Sequence, residues 1–176
     1  ASPVSARSAA TVLLLRDRPQ GMEVFMVVRH HEIDFASGAL VFPGGRVETE
    51  DAAAPAPALS AACAARLAAF CPSDAPTPQA LAAAALRELA EETGLCPAPD
   101  ADWRFVFRAI TPPGRTRRFD ARFFLVPAEG ATGDAETFAD AEDELSHLHW
   151  IGLDAARALD LPFITEVVLA EVTALL

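Results

Sequence analysis

The segment from Thr77 to Gly94 constrains the fold of this chain more than any other. Thr77 can cap a helix start, Pro78 suits the first helical position, and Gly94 suits the left-handed end just beyond the last turn. Between them, Leu81, Ala85 and Leu89, with Leu86 and Ala90 alongside, form an apolar face at helical spacing. The spacing predicts a helix with clear punctuation at both ends, anchored by that face.

Strand signals flank it. Residues 10–15 and 22–28 read as short strands joined by a polar turn through Arg16–Gly21. Ala39–Phe42 is a short apolar strand that stops at Pro43-Gly44-Gly45. Trp103 to Ala109 alternates with period two, which places Trp103, Phe105 and Phe107 on one face. Phe119–Val126 and Leu148–Ile151 are further strands, and Pro162–Leu175 is a C-terminal helix. Strands and helices alternate without a regular βαβ repeat, so the class is α/β, with a mixed sheet between helices. Residues 52–80 form an island rich in Ala and Pro, in which Leu59–Phe70 has amphipathic helical spacing and Pro72–Pro78 breaks it.

With 176 residues, the chain fits a single domain spanning 1–176. Its 25 acidic and 14 basic residues give a net charge of -11, which opposes binding to nucleic acid or an anionic membrane. Every cation is Arg. Without Lys there is no Schiff base and no P-loop, and without Asn there is no N-glycosylation site. Cys63 and Cys71 stand about 12 Å apart on one helix, too far for a disulfide, and with Cys96 they cannot all pair. The pattern points to a reducing, cytoplasmic setting, with the cysteines serving packing. The longest early apolar run, Val12 to Leu15, is too short for a membrane span or a signal-peptide core.

The chemistry lies in Arg87-Glu88-Leu89-Ala90-Glu91-Glu92-Thr93-Gly94-Leu95. On a helix, Glu88, Glu91 and Glu92 occupy i, i+3 and i+4, so their carboxylates share one face within a turn. Such crowding is unfavourable unless a cation sits among them, and hard oxygen ligands suit Mg2+ or Mn2+. The alternative is a solvated acidic face. A second charged feature is Arg104–Arg122, with six Arg and one Asp in an otherwise acidic chain. These arginines either form a local phosphate or carboxylate site or pair with the acidic C-terminal third.

Phe42-Pro43-Gly44-Gly45, followed by Arg87 to Leu95, resembles the Nudix hydrolases. The box of that family is G, five residues, E, seven residues, then REUxEExGU, where U is aliphatic. Gly45 matches its start, and Arg87–Leu95 matches every fixed position of its second half. The chain departs from it twice: Asp51 replaces the first Glu, and 35 residues instead of seven separate Asp51 from Arg87, an insertion of 28. The resemblance implies an α/β/α sandwich and metal-dependent hydrolysis of a nucleoside diphosphate linked to another moiety. It assigns the metal to the Gly44 carbonyl and to Glu88, Glu91 and Glu92. Glu88 is a ligand or the base for the attacking water, Arg87 orients the carboxylates, and Gly45 and Asp51 support them. A further ligand or base is expected downstream, among Glu136, Glu142, Asp143 and Glu144, with Glu144 favoured because it precedes the strand holding Trp150.

The interrupted box also resembles the coenzyme A diphosphatase branch, which carries a similar insertion. Gly38 keeps its spacing to Phe42, whereas the gap from Arg29 is one residue long and Asp34 stands where a second Arg is expected. On that reading, Arg29, Phe42, Arg115, Arg117 and Arg118 contact substrate, and the 3′-phosphate of coenzyme A meets the arginine cluster. The alternatives are an ADP-ribose or nucleotide-sugar diphosphatase, or an inactive nucleotide-binding module. The expected partner is a small nucleoside diphosphate derivative, with a homodimer as the assembly considered. The insertion is expected to fold as a helix on the body at the rim of the site, with its two ends close together. His30-His31 reads as surface.

Overall fold

A computed structural model describes residues 5–28, 40–69, 75–133, 148–159, 161 and 163–176. The strands are β1 (Arg7–Arg18), β2 (Gly21–Val28), β3 (Leu40–Val41), β4 (Gly44–Arg46), β5 (Arg104–Ile110), β6 (Phe119–Pro127) and β7 (Leu148–Gly152). They form one sheet of order β3-β2-β1-β6-β5, with β4 also on β1 and β7 on β2. Only β1 and β6 run parallel among these pairs, so the sheet is mixed, as the sequence predicts.

The apolar run at 12–15 makes β1 the centre of the fold. Val12 and Leu14 enter one core cluster, while Leu13 and Leu15 enter the other, so this strand is buried on both faces. Helices α1 (Ala61–Ala69) and α2 (Pro78–Thr93) bring residues to the first cluster. Helices α3 (Leu153–Arg157) and α4 (Phe163–Leu175) bring theirs to the second. The result is an α/β/α sandwich. No helix among the described residues is long and apolar enough to cross a membrane.

β1 and β2 pair only between Leu15–Arg18 and Gly21–Val24. Nearer its start, β1 pairs instead with β4, Ala9–Thr11 against Gly44–Arg46, and the Val12 amide donates to the Pro43 carbonyl at 2.9 Å. The Gly-Gly segment is therefore a strand of its own, which no local alternation announces. Across the core, α2 matches its punctuation. Thr77 accepts a hydrogen bond from the Ala80 amide at 3.2 Å, and Gly94 ends the helix at φ 75° with its amide bonded to the Ala90 carbonyl.

Three expectations need correction. Phe107 does not share a face with Trp103 and Phe105: a register shift between Phe105 and Phe107 turns it to the second cluster, edge-on to Phe123. Cys96 is exposed, not packed. The insertion's ends are not adjacent either. Asp51 meets α2 at Arg87, ten residues and about 15 Å of helix beyond Thr77, so the insertion spans much of α2 before returning to its start.

Within the insertion, α1 buries Cys63 and Leu67 against the first cluster, and Arg66 donates to the Phe105 carbonyl of β5. Burial of a leucine such as Leu67 contributes about 1.5–3 kcal/mol, so this helix is part of the core. Phe70 to Asp74, including Cys71, lie outside the described residues.

Candidate active site

The site begins with a clamp. Thr49–Ala53 forms a 3-10 turn that directs Asp51 at α2. Arg87 meets both carboxylate oxygens of Asp51, Nε to Oδ1 at 2.9 Å and Nη2 to Oδ2 at 3.0 Å, and the Glu48 amide adds a third bond at 2.7 Å. The turn supplies the reach that a side chain one methylene shorter than Glu lacks. Asp51 is 1% exposed. Burial alone would raise its pKa, but the Arg87 hydrogen bonds, the Glu48 amide and the Arg87 charge together hold it below the usual carboxylate value. The same bonds push Arg87 up, so this pair is ionised.

The rest of the guanidinium reaches the carboxylate turn of α2. Nη1 donates to Glu88 at 3.0 Å and to Glu91 at 3.2 Å, and Nη2 donates to the Arg46 carbonyl at 3.0 Å. Arg87 thereby ties the 3-10 turn, β4 and the carboxylates of α2 together. Glu88 is pushed up by burial and by the Glu91 and Glu48 charges, against the opposing pull of Arg87. Glu91 is exposed and Glu92 is half-buried.

The two glycines are required for different reasons. A Cβ on Gly45 would lie 2.5 Å from Cδ of Glu88. A Cβ on Gly44 would strike the β1 backbone, 2.6 Å from the Ala10 carbonyl oxygen and 2.8 Å from the Thr11 Cα. Gly45 thus makes room for the carboxylate, and Gly44 for the strand pairing.

Glu88, Glu91, Glu92 and the Gly44 carbonyl are all hard oxygen donors, the donor chemistry of Mg2+ or Mn2+. Among the described residues, no three side chains converge closely enough to enclose an ion, and Arg87 Nη1 lies between Glu88 and Glu91. The donor set therefore fits a divalent cation in chemistry, with Glu88 and Glu91 bound to Arg87 in this arrangement.

The expected substrate residues are dispersed. Arg117 and Arg118 line a cleft beside β4, together with Arg7 and Arg46, which sequence reasoning did not single out. Arg115 is exposed and does not line that cleft. Phe42 is 4% exposed and stacks edge-on with Phe123, which makes it a core residue rather than a contact surface. Arg108 and Arg122 pair with Asp120, so part of the arginine-rich segment is tied up within its own hairpin. Arg29, Glu136, Glu142, Asp143 and Glu144 lie outside the described residues, as do His30, His31, Asp34 and Gly38.

The family model of the NUDIX domain matches residues 75–172. The chain belongs to the Nudix family. Its mixed sheet, its helices and the completed box are those of a Nudix hydrolase. A Nudix hydrolase from Alicyclobacillus acidocaldarius is similar at 26% identity and TM-score 0.65, over 95% of this chain and 90% of that one. RenU, a Nudix hydrolase from M. smegmatis, is similar at 20% identity and TM-score 0.58, over 98% and 90%. The NUDIX domain of Shewanella oneidensis NrtR, solved with ADP ribose, shares the fold at 14% identity and TM-score 0.59, over 97% and 88%. No match was found among the curated proteins.

Proposed function

We infer that this hydrolase splits the phosphoanhydride bond of a nucleoside diphosphate linked to another moiety, with the help of a divalent cation. The observation that carries the reading is the Asp51–Arg87 clamp. It completes a Nudix box across 35 intervening residues and holds Glu88 against Gly45.

A diphosphate is densely anionic, and an all-acid turn repels it. Mg2+ or Mn2+, held by Glu88, Glu91, Glu92 and the Gly44 carbonyl, would neutralise that charge and acidify a bound water. Arg87 is anchored at one end by buried Asp51, so its other end sets the positions of Glu88 and Glu91. Glu88 favours its protonated form more than an ordinary glutamate, because burial penalises its charge, which suits a carboxylate that accepts a proton from water. Glu144, placed only by the resemblance, remains the candidate for an additional base or ligand.

Coenzyme A or an acyl-coenzyme A is the substrate we favour, on the strength of arginines clustered beside β4. ADP-ribose is the second reading, because a domain of the same fold was solved with it. An inactive binding module is disfavoured by the intact Glu88, Glu91 and Glu92. Incubation with Mg2+ and a panel of coenzyme A, ADP-ribose, nucleotide sugars and dinucleoside polyphosphates tests all three. Metal-dependent release of a mononucleotide is expected; no turnover of any compound would leave the inactive module standing.

A further inference from the structure

The sheet ends at β5. In the order β3-β2-β1-β6-β5 this strand has β6 on one side and, among the described residues, no strand on the other. Its sequence, Arg104-Phe-Val-Phe-Arg-Ala-Ile110, is rich in aromatic and β-branched side chains and holds no proline. Such residues favour a pleated strand, and a strand at an edge offers its unpaired amides and carbonyls to another chain. Every residue of β5 is half-buried or exposed, and Ile110 is 51% exposed.

Charge alone does not protect this edge. Arg108 forms a two-point pair with Asp120 of β6, at 2.7 and 2.6 Å, and Arg104 approaches Asp102 at 3.8 Å. Both cations of β5 thus have counter-charges in their own chain, which weakens their repulsion of a second copy. Two other features act on the strand. The register shift between Phe105 and Phe107 breaks its regular ladder. At the same place Arg66 of α1 donates to the Phe105 carbonyl, and its guanidinium lies over the Phe105 ring at 5.7 Å.

Arg66 is the only charged side chain of α1, whose other residues are Ala, Cys and Leu. Within one helix the tasks are divided. Cys63 and Leu67 hold α1 to the core, while Arg66, itself exposed, reaches the strand. A carbonyl taken up by a guanidinium is no longer free to accept from an added strand. We propose that α1 of the insertion guards the β5 edge, with Arg66 keeping a second copy of this chain from adding its own β5 there. A second copy is the occupant excluded because two such strands match: apolar side chains meet across the pair, and each arginine brings its own counter-charge. The inference gives the insertion a role in keeping copies apart, independent of the hydrolytic reading.

Sedimentation of the full chain over a range of concentrations, with hydrogen exchange across residues 104–110, tests this. Arg66→Ala changes an exposed side chain and leaves Cys63 and Leu67 in place, so the fold should persist, as circular dichroism will check. Its weight-average mass should at least double relative to wild type as concentration rises. In the assembled form the amides of 104–110 should exchange more slowly than in wild type. Arg157→Ala removes a positive charge from an exposed position at the end of α3 and should sediment as wild type does. Adding Ile110→Lys to Arg66→Ala puts an ammonium on the edge and should restore the wild-type mass. If the alanine variant loses its fold, the same outcomes are read on Arg66→Met, which keeps a long stem over the Phe105 ring and lacks the donor. Wild-type mass in the Arg66 variant or equal growth in Arg157→Ala would overturn the proposal. So would assembly that survives Ile110→Lys, or assembly without slower exchange at 104–110.

Discussion

Asp51 and Arg87, 36 positions apart in the chain, meet in a two-point ion pair of 2.9 and 3.0 Å. The pair joins the turn that opens the insertion to the helix that follows it. It also fixes a guanidinium whose remaining donors reach Glu88, Glu91 and the carbonyl of Arg46. Through it, Asp51 and the carboxylate turn of α2 stay joined across a 28-residue insertion.

Breaking that pair should cost stability in a pH-dependent way. Asp51→Ala leaves Arg87 without its buried partner, a loss of about 3 kcal/mol. For a chain of this length that corresponds to a fall in Tm of about 6–12 °C. The carboxyl of Asp51 titrates below its ordinary 3.8 in the folded state, so the folded protein binds fewer protons there than the unfolded chain. Its contribution is therefore full above 3.8 and is lost as pH falls through the lower folded value. Melting curves should show wild type and variant far apart at pH 7 and converging below 3.8. A constant gap across that range would contradict the assignment.

Glu91→Gln keeps shape and removes one charge from the carboxylate turn. Glu91 is 59% exposed at its side chain, so Tm should hardly change. Metal-dependent turnover should fall by about two decades or more, the scale of losing a ligand or a positioned base. Comparable turnover in the variant, or in wild type with excess chelator, would remove the mechanism.

The adjacent glycines should separate fold from chemistry. In Gly44→Ala the new methyl meets the backbone of Ala10 and Thr11, which cannot yield without opening the β1–β4 pairing, at a cost of about 1–3 kcal/mol. In Gly45→Ala it meets the end of the flexible Glu88 side chain, which can swing away. Gly44→Ala should lower Tm, whereas Gly45→Ala should keep Tm near wild type and lower kcat at least ten-fold. Parallel melting and initial-rate measurements on both variants read the difference.

What the sequence revealed follows from how local each interaction is. Thr77, Pro78 and Gly94 act on neighbouring backbone groups, so the ends of α2 were legible as written. The apolar runs of β1 and β6 likewise exposed the sheet. β4 was not legible, because three residues with two glycines carry no pattern of their own and become a strand only by pairing with β1. The turn of Phe107 to the opposite face depends on a bulge against β6, which period-two alternation does not encode. Glu88, Glu91 and Glu92 could be read from one helical turn, but Arg7 and Arg46 share a cleft only through β1–β4 register. An arginine after Gly-Gly, two residues beyond a candidate metal ligand, was the only local signal for Arg46.

The insertion's helix gives the last prediction. Leu67 is 1% exposed and lies in the same core cluster as Leu81, Ala85 and Leu89 of α2 and Trp103 and Phe124 near β5 and β6. Truncation at such a position removes the transfer free energy of the lost carbons and leaves a cavity, about 2–5 kcal/mol in all. Leu67→Ala should therefore lower Tm by about 4 °C or more, the smaller end of that range for a chain of this size. The Asp51–Arg87 clamp and the carboxylate turn do not include Leu67, so kcat measured well below the melting temperature should remain close to wild type. A Leu67→Ala protein as stable as wild type would show that α1 rests on the body without supporting it.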